Sequence, residues 1–363
     1  MSMAVLDLNE LLRYVVEQRG SDLHVKVGSP PHLRVDGHLT ATPFDAVTPA
    51  EAERIAFSIL PRDRADEFVA TAEADFALSV AGLGRFRVNV FRQRGSVGLV
   101  LRRVLPGTPS FESLGLPPVV RRLADEQRGL VLVTGPTGSG KTTTVAAMID
   151  HINESRAANI VTVEDPIEVL HGDKRSMVNQ REIGTDTADY ASAMKRVLRQ
   201  DPDVIFIGEM RDPDTVAAAL AAAETGHVVL STLHTTNATE TVNRIVDFFP
   251  PFQQAQIRLT LASSLKGVVS QRLLERADGK GRVPAVEVLV MTGRVFDAIL
   301  DPAAPAAPSI EEVIAEGEYY GMQTFDQSLF VLFKNGLVGL RDALAAASHP
   351  SDFRLALQNA GLV

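Results

Sequence analysis

A chain of 363 residues, 45% hydrophobic and 22% charged, holds enough apolar material for two or three globular domains. Its 45 acidic against 36 basic residues give a formal charge of −9, which argues against a nucleic-acid backbone as the main partner. With no cysteine, disulfides, cysteine-ligated zinc and thiol catalysis are excluded, and a reducing compartment fits.

Residues 4–20 have helical periodicity that stops at Gly20. They carry acidic residues early and lack a long apolar stretch with a small-residue cleavage site, so they do not read as a signal peptide. No run approaches 18 uninterrupted apolar residues, so no membrane span is expected, and any membrane association should pass through a partner. Short alternating runs follow at Leu23–Val27, His32–Val35, Asp75–Val80, Arg85–Phe91 and Val97–Arg103, punctuated by Gly, Pro and Asp. They predict antiparallel strands and hairpins. Thr48-Pro49 is a cap residue followed by a first-turn proline, and predicts a helix at about 50–60. Residues 1–104 thus read as an α+β domain.

The stretch 105–118, LPGTPSFESLGLPP, has four prolines and reads as a linker. From 119 to 363 the pattern changes. Apolar strands are predicted at 129–134, 159–164, 203–208 and 227–232, with helices at 141–154, 187–199, 213–225 and 237–248. Such alternation predicts an α/β domain with a largely parallel sheet covered on both faces. From about 252 onward helices are expected to dominate, with DPAAPAAPS (301–309) as a Pro/Ala loop.

GPTGSGKT, Gly135 to Thr142, matches the phosphate-binding pattern G-x-x-x-x-G-K-[ST] in full. The strand-like LVLVT before it and the helix-like TTVAAMIDHI after it argue against a chance glycine-rich turn. Gly135, Gly138 and Gly140 let the backbone curl with its N–H groups inward, and the helix start favours anions. Pro136, Thr137, Ser139 and Thr143 complete the candidate nucleotide contacts. Lys141 would place positive charge near the β and γ phosphates of ATP, and the Thr142 hydroxyl could ligate Mg²⁺.

Such a loop needs an acid at the end of a neighbouring strand. VIFIGEMRD (204–212) offers Glu209 as metal-side acid, water-activating base, or both; its bland alternative is a helix cap. VEDPIE (163–168) offers Glu164, with Asp165 and Glu168, to support metal and water; alone it would be a turn. In TGHVVLSTLHT (225–235), His234 ends a strand where active groups gather and is a candidate γ-phosphate contact, whereas His227 starts it and reads as structural.

These blocks, in this order, resemble the secretion-ATPase superfamily: GPTGSGKT as Walker A, TVEDPIE as aspartate box, LRQDPDVIFIGEMRD as Walker B and TGHVVLSTLHTTNA as histidine box. The Walker B match has Gly208 where a strict motif has Asp. SDLHVKVG (21–28) and GRFRVNVFRQRG (84–95) also resemble it, so the likeness covers nearly the whole chain. PilT-like pilus retraction ATPases fit best. The chain opens at the short α+β domain as they do, and GMQTFDQSLFVLFKNGLV (321–338) is similar to their ending, while SIEEVIAEGEYYG (309–321) is a weaker match. Extension and secretion motors usually carry an extra N-terminal domain and often a four-cysteine zinc insertion.

The resemblance implies a PAS-like domain ahead of a RecA-like P-loop NTPase domain. It implies a homo-hexamer that hydrolyses MgATP between the two domains to retract type IV pili for twitching motility. An inner-membrane platform protein and a paralogous pilus ATPase would be its partners, at the cytoplasmic face of the membrane. It also implies that Arg87 and Arg102 reach the nucleotide, where arginines can contribute about 10³–10⁵ in rate; their alternative is surface ion pairing. Arg199 and Arg211 are weaker candidates. The rival readings are a pilus-extension or type II secretion ATPase and, from another class, a RecA-like nucleic-acid translocase.

Overall fold

A computed structural model describes every residue except 1–5, 36, 105, 106, 303 and 305–307. The start of the predicted first helix, the first two linker positions and the middle of the Pro/Ala loop lie outside the described residues. The chain divides into two compact units. One runs to Gly107 and takes in Glu168–Leu170; the other comprises Thr108–Ile167 and His171–Val363.

The first unit is one antiparallel sheet with helices on one face. Its strands are β1 (Asp22–Lys26), β2 (His32–Val35), β3 (His38–Ala41), β4 (Glu73–Val80), β5 (Gly84–Gln93) and β6 (Ser96–Val104), in the order β3-β2-β1-β6-β5-β4. Leu23, Val25, Phe86, Val88, Val90, Leu99 and Leu101 point to the core. Leu8, Leu11, Leu12 and Val15 of the helix Leu8–Glu17, and Ile55 and Ala56 of the helix Pro49–Ile59, belong to the same core. Thr48 and Glu51 form a reciprocal capping box at the second helix, as its sequence predicts. The helix Arg62–Thr71 and the strand β3 were not legible in the pattern. β3 is exposed along its length and the helix buries little besides Phe68, so neither has a strong apolar period.

The second unit is built on seven strands: β7 (Gly129–Thr134), β8 (Asn159–Glu164), β9 (Met177–Glu182), β10 (Val204–Ile207), β11 (Val228–Leu233), β12 (Leu265–Glu275) and β13 (Arg282–Val290). Their order is β13-β12-β7-β11-β10-β8-β9, with β13 antiparallel to β12 and every other pair parallel. Both faces are covered. Leu130 and Leu132 of β7 go into one core cluster and Val131 and Val133 into the other, so β7 reads as an unbroken apolar run. Each such side chain contributes about 1.5–3 kcal/mol on burial.

The helical reading of 252–363 needs correction, because β12 and β13 form a long hairpin inside it. Both strands lie in the covered part of the sheet, and continuous burial removes the two-residue alternation that separates strand from buried helix. Helices do follow, at Gly293–Leu300, Ile310–Ala315, Phe325–Lys334, Leu340–Ala346 and Pro350–Asn359. Within the proline-rich 105–118 stretch, Ser110 caps a short helix, Phe111–Leu114, whose Phe111 is buried in the second unit's core. Among the described residues, no helix is long and apolar enough to cross a membrane.

Candidate nucleotide site

The strands β7, β11, β10 and β8 lie in that order, and the loops leaving their C-terminal ends carry the predicted site residues. This is the edge where parallel α/β sheets bind ligands. Residues 135–140 link β7 to the helix Lys141–Ser155. At Gly135 (φ +143°) a Cβ would stand 2.4 Å from the carbonyl oxygen of Gln271 and 2.5 Å from Ser139 Oγ, so the loop presses on β12. Gly140 takes the left-handed conformation at the helix N-cap (φ +93°). The Ser139 hydroxyl is 3% exposed and has no hydrogen-bond partner. With the N–H groups that every helix start leaves open, it forms a loop ready to accept an anion.

Lys141 is 8% exposed. Its Nζ donates to the carbonyls of Gly135 (2.7 Å) and Pro136 (3.0 Å) and lies 3.5 Å from His234 Nδ1. His234, just beyond β11, turns its other nitrogen to Glu209: Nε2 is 3.3 Å from Oε1. Glu209, just beyond β10 and 18% exposed, offers its second oxygen to Arg211 Nη2 at 2.7 Å. That bond holds the Arg211 guanidinium above its ordinary value. One polar chain therefore runs Lys141–His234–Glu209–Arg211 across three neighbouring strands.

Glu209 is not a helix cap. The following helix, Pro213–Glu224, is capped by Asp212, which accepts from the Thr215 N–H at 2.8 Å. His227 packs Nδ1 against the Ala222 carbonyl (3.0 Å) and Thr225 Oγ1 (3.2 Å), a structural role. Glu164 is buried, and its carboxylate accepts from the Thr162 hydroxyl (2.6 Å) and the Gln180 amide (3.0 Å) on the side of β9. Thr142 and Thr143 are partly exposed on the first turn after Lys141.

Arg87 and Arg102 belong to the first unit, where they face each other across β5 and β6. The same rung continues through Asp22 and Arg34 on β1 and β2. Asp22 accepts from Arg102 Nε at 2.7 Å, and Glu168, grouped with this unit, accepts from Arg87 Nη2 at 3.1 Å. Burial raises the Asp22 carboxyl, but the Arg102 and Ser21 hydrogen bonds outweigh it, and the net shift is downward. Like charges directly opposite are unfavourable, and here each of the two arginines has a carboxylate of its own, while Arg34 Nε stands 3.9 Å from the same Asp22. Arg199 is exposed.

Sequence reasoning did not single out Tyr190 or Gln271. Tyr190 Oη stands 2.8 Å from where a Cβ on Gly208 would be, with the Val163 carbonyl at 3.3 Å. A Cβ there would have to displace the Tyr190 hydroxyl. Burial pushes the Tyr190 hydroxyl upward. Gly208→Ala is expected to cost about 1–3 kcal/mol. Chemical denaturation should show the cost shrinking in a Tyr190→Phe background, and strict additivity would refute this packing. Gln271 donates its amide to Thr144 Oγ1 at 2.9 Å and ties the helix Lys141–Ser155 to β12. Only the β7–β12 pairing brings it there, so no local signal could have found it.

A sequence profile for the type II/IV secretion system protein family matches residues 3–301. The chain belongs to this family. Among its relatives, the type IV pilus retraction ATPase PilT of Pseudomonas aeruginosa is 41% identical over 96% of this chain and 100% of its own length. The type IV pilus ATPase PilU of the same organism is 39% identical over 97% of this chain and 92% of its own. A crystal structure of the pilus retraction motor PilT with bound ADP is 44% identical, with a TM-score of 0.86, covering 96% of this chain and 98% of that one. This member of the family has the fold of those ATPases: a RecA-like domain behind a smaller PAS-like α+β domain.

Proposed function

We propose that this chain is the MgATP-hydrolysing motor of type IV pilus retraction, acting as a homo-hexamer. The observation that carries the chemistry is the contact chain Lys141–His234–Glu209 along the ligand-binding edge of the sheet. Near-full-length identity to a retraction ATPase supports the mechanical output.

The phosphates would lie against the 135–140 loop and the N–H groups of the helix it enters. Their negative charge would replace the carbonyls of Gly135 and Pro136 as the partner of Lys141. Thr142 and Glu209 form an oxygen-only set that suits Mg²⁺, whose charge would polarise the phosphates when bound. Glu209 orients or deprotonates the attacking water, His234 holds its Oε1, and Glu164 supports the acid from the neighbouring strand. Arg87 and Arg102 would exchange their Glu168 and Asp22 partners for the developing phosphoryl charge and neutralise it. Loss of the γ-phosphate then frees the N-terminal domain to move about the 105–118 segment, the usual consequence of hydrolysis in such switches. A membrane platform protein and a paralogous ATPase are the partners this reading requires.

Deleting the gene separates the two directions of work. Loss of a retraction motor is expected to leave surface pili present while twitching stops, with rescue by the parent chain. A deletion strain without pili would instead identify an extension motor.

A further inference from the structure

The loop that carries His234 is tied at every step to the helix it enters, Ala238–Asp247. The Thr235 and Thr241 hydroxyls meet at 2.7 Å, the Thr236 N–H donates to Glu240 at 2.8 Å, and Asn237 caps the Glu240 N–H at 2.8 Å. The Ala238 N–H, a helix-start donor, finds its acceptor elsewhere: Glu287 Oε1 on β13, at 2.7 Å. Glu287 is 7% exposed and takes no part in the nucleotide chemistry described above. A cavity of about 720 Å³, lined by Asn237, Glu240, Arg272, Glu311, Ser348 and His349, also reaches Glu287.

We propose that Glu287 is a positioning residue for His234: its carboxylate clamps the start of the helix behind the His234 loop and makes ATP hydrolysis responsive to pH. The proposal rests on the reading of His234 and Glu209 as parts of an ATPase site. An ionised carboxylate binds a helix-start N–H more strongly than a neutral one and gains from the helix dipole. Arg272 on β12 favours the ionised form and is itself fixed by the Ala346 carbonyl and the Phe325 ring. Glu311 on the helix Ile310–Ala315 and Asp326 on the helix Phe325–Lys334 oppose it, and Glu240 adds a carboxylate at the cavity wall. His349 pairs with Glu311 at 3.0 Å, which raises its own titration. Burial outweighs the Ala238 and Arg272 contributions and pushes the Glu287 carboxyl up to about 7. The clamp is therefore strong above neutrality and weakens as the pH falls through that value.

The test follows phosphate release by full-length parent, Glu287→Gln and His349→Gln between about pH 6 and about pH 8.5. Glutamine keeps an acceptor for Ala238 but never ionises. The turnover of Glu287→Gln should match the parent at the acid end and fall about fivefold below it at the alkaline end, with KM unchanged. His349→Gln should keep the parent's profile. Superimposable profiles for Glu287→Gln and parent, or a constant ratio at every pH, would overturn the proposal. Amide hydrogen exchange over 235–241 supplies a readout independent of activity. Faster exchange in Glu287→Gln than in the parent at the alkaline end supports the clamp, and equal protection there sinks it. If the parent releases no phosphate, the ATPase reading fails and exchange alone decides the clamp.

Discussion

Glu209→Gln is expected to bind ATP about as well as the parent and to hydrolyse it about 10²–10⁴-fold more slowly. Glutamine matches the shape of Glu209 and keeps one oxygen for either His234 or Arg211, so the loop geometry survives. It has no lone-pair site basic enough to take a proton from water and no charge to complement a cation. Equilibrium binding of a fluorescent ATP analogue, read beside steady-state phosphate release, separates the two effects. Because Asp212 rather than Glu209 caps the following helix, the change should leave folding intact. Hydrolysis close to the parental rate would remove Glu209 from catalysis and shift attention to Glu164.

Lys141→Ala should be worse, because it removes binding and catalysis together. The ammonium is the cation placed inside the phosphate loop, and its loss is expected to lower turnover at saturating ATP by about 10²–10³-fold, with weaker nucleotide binding in addition. Without nucleotide, the substitution also strips the Gly135 and Pro136 carbonyls of their donor. Water entering the loop should replace it and keep the thermal midpoint near the parent's. Calorimetric titration with ATP, with and without Mg²⁺, measures the binding loss. Parental binding and turnover in this variant would leave the proposed motor without its engine.

Most of the site was legible because its parts are local. Gly135 to Thr142 is a contiguous loop whose turn chemistry is written in glycine spacing, and the strand before and the helix after it have clear periods. Glu209 and His234 were legible for a related reason. Each lies within two residues of the end of a short apolar strand of the parallel sheet, and the C-terminal ends of such strands converge on one edge. What the sequence did not show is that Glu164 Oε1 accepts from Gln180 on β9, a strand too polar to announce itself. Arg87 and Arg102 were singled out by resemblance. What the structure adds is that they face each other on one rung and that each has a carboxylate partner, Glu168 for Arg87 and Asp22 for Arg102.

The amino-acid sequence by itself determined the order of strand and helix through most of the chain, the glycine-rich loop proposed to hold phosphate, and the acids and histidine that follow neighbouring strands. These depend on interactions within a few residues: glycine conformations, caps and apolar periodicity. Only the tertiary structure decided that β12 rather than a helix flanks β7, that the Tyr190 hydroxyl packs against Gly208, and that Glu287 reaches back to Ala238. Each of those contacts joins residues far apart in the chain, and burial on both faces erases the local periodicity that would have foretold them.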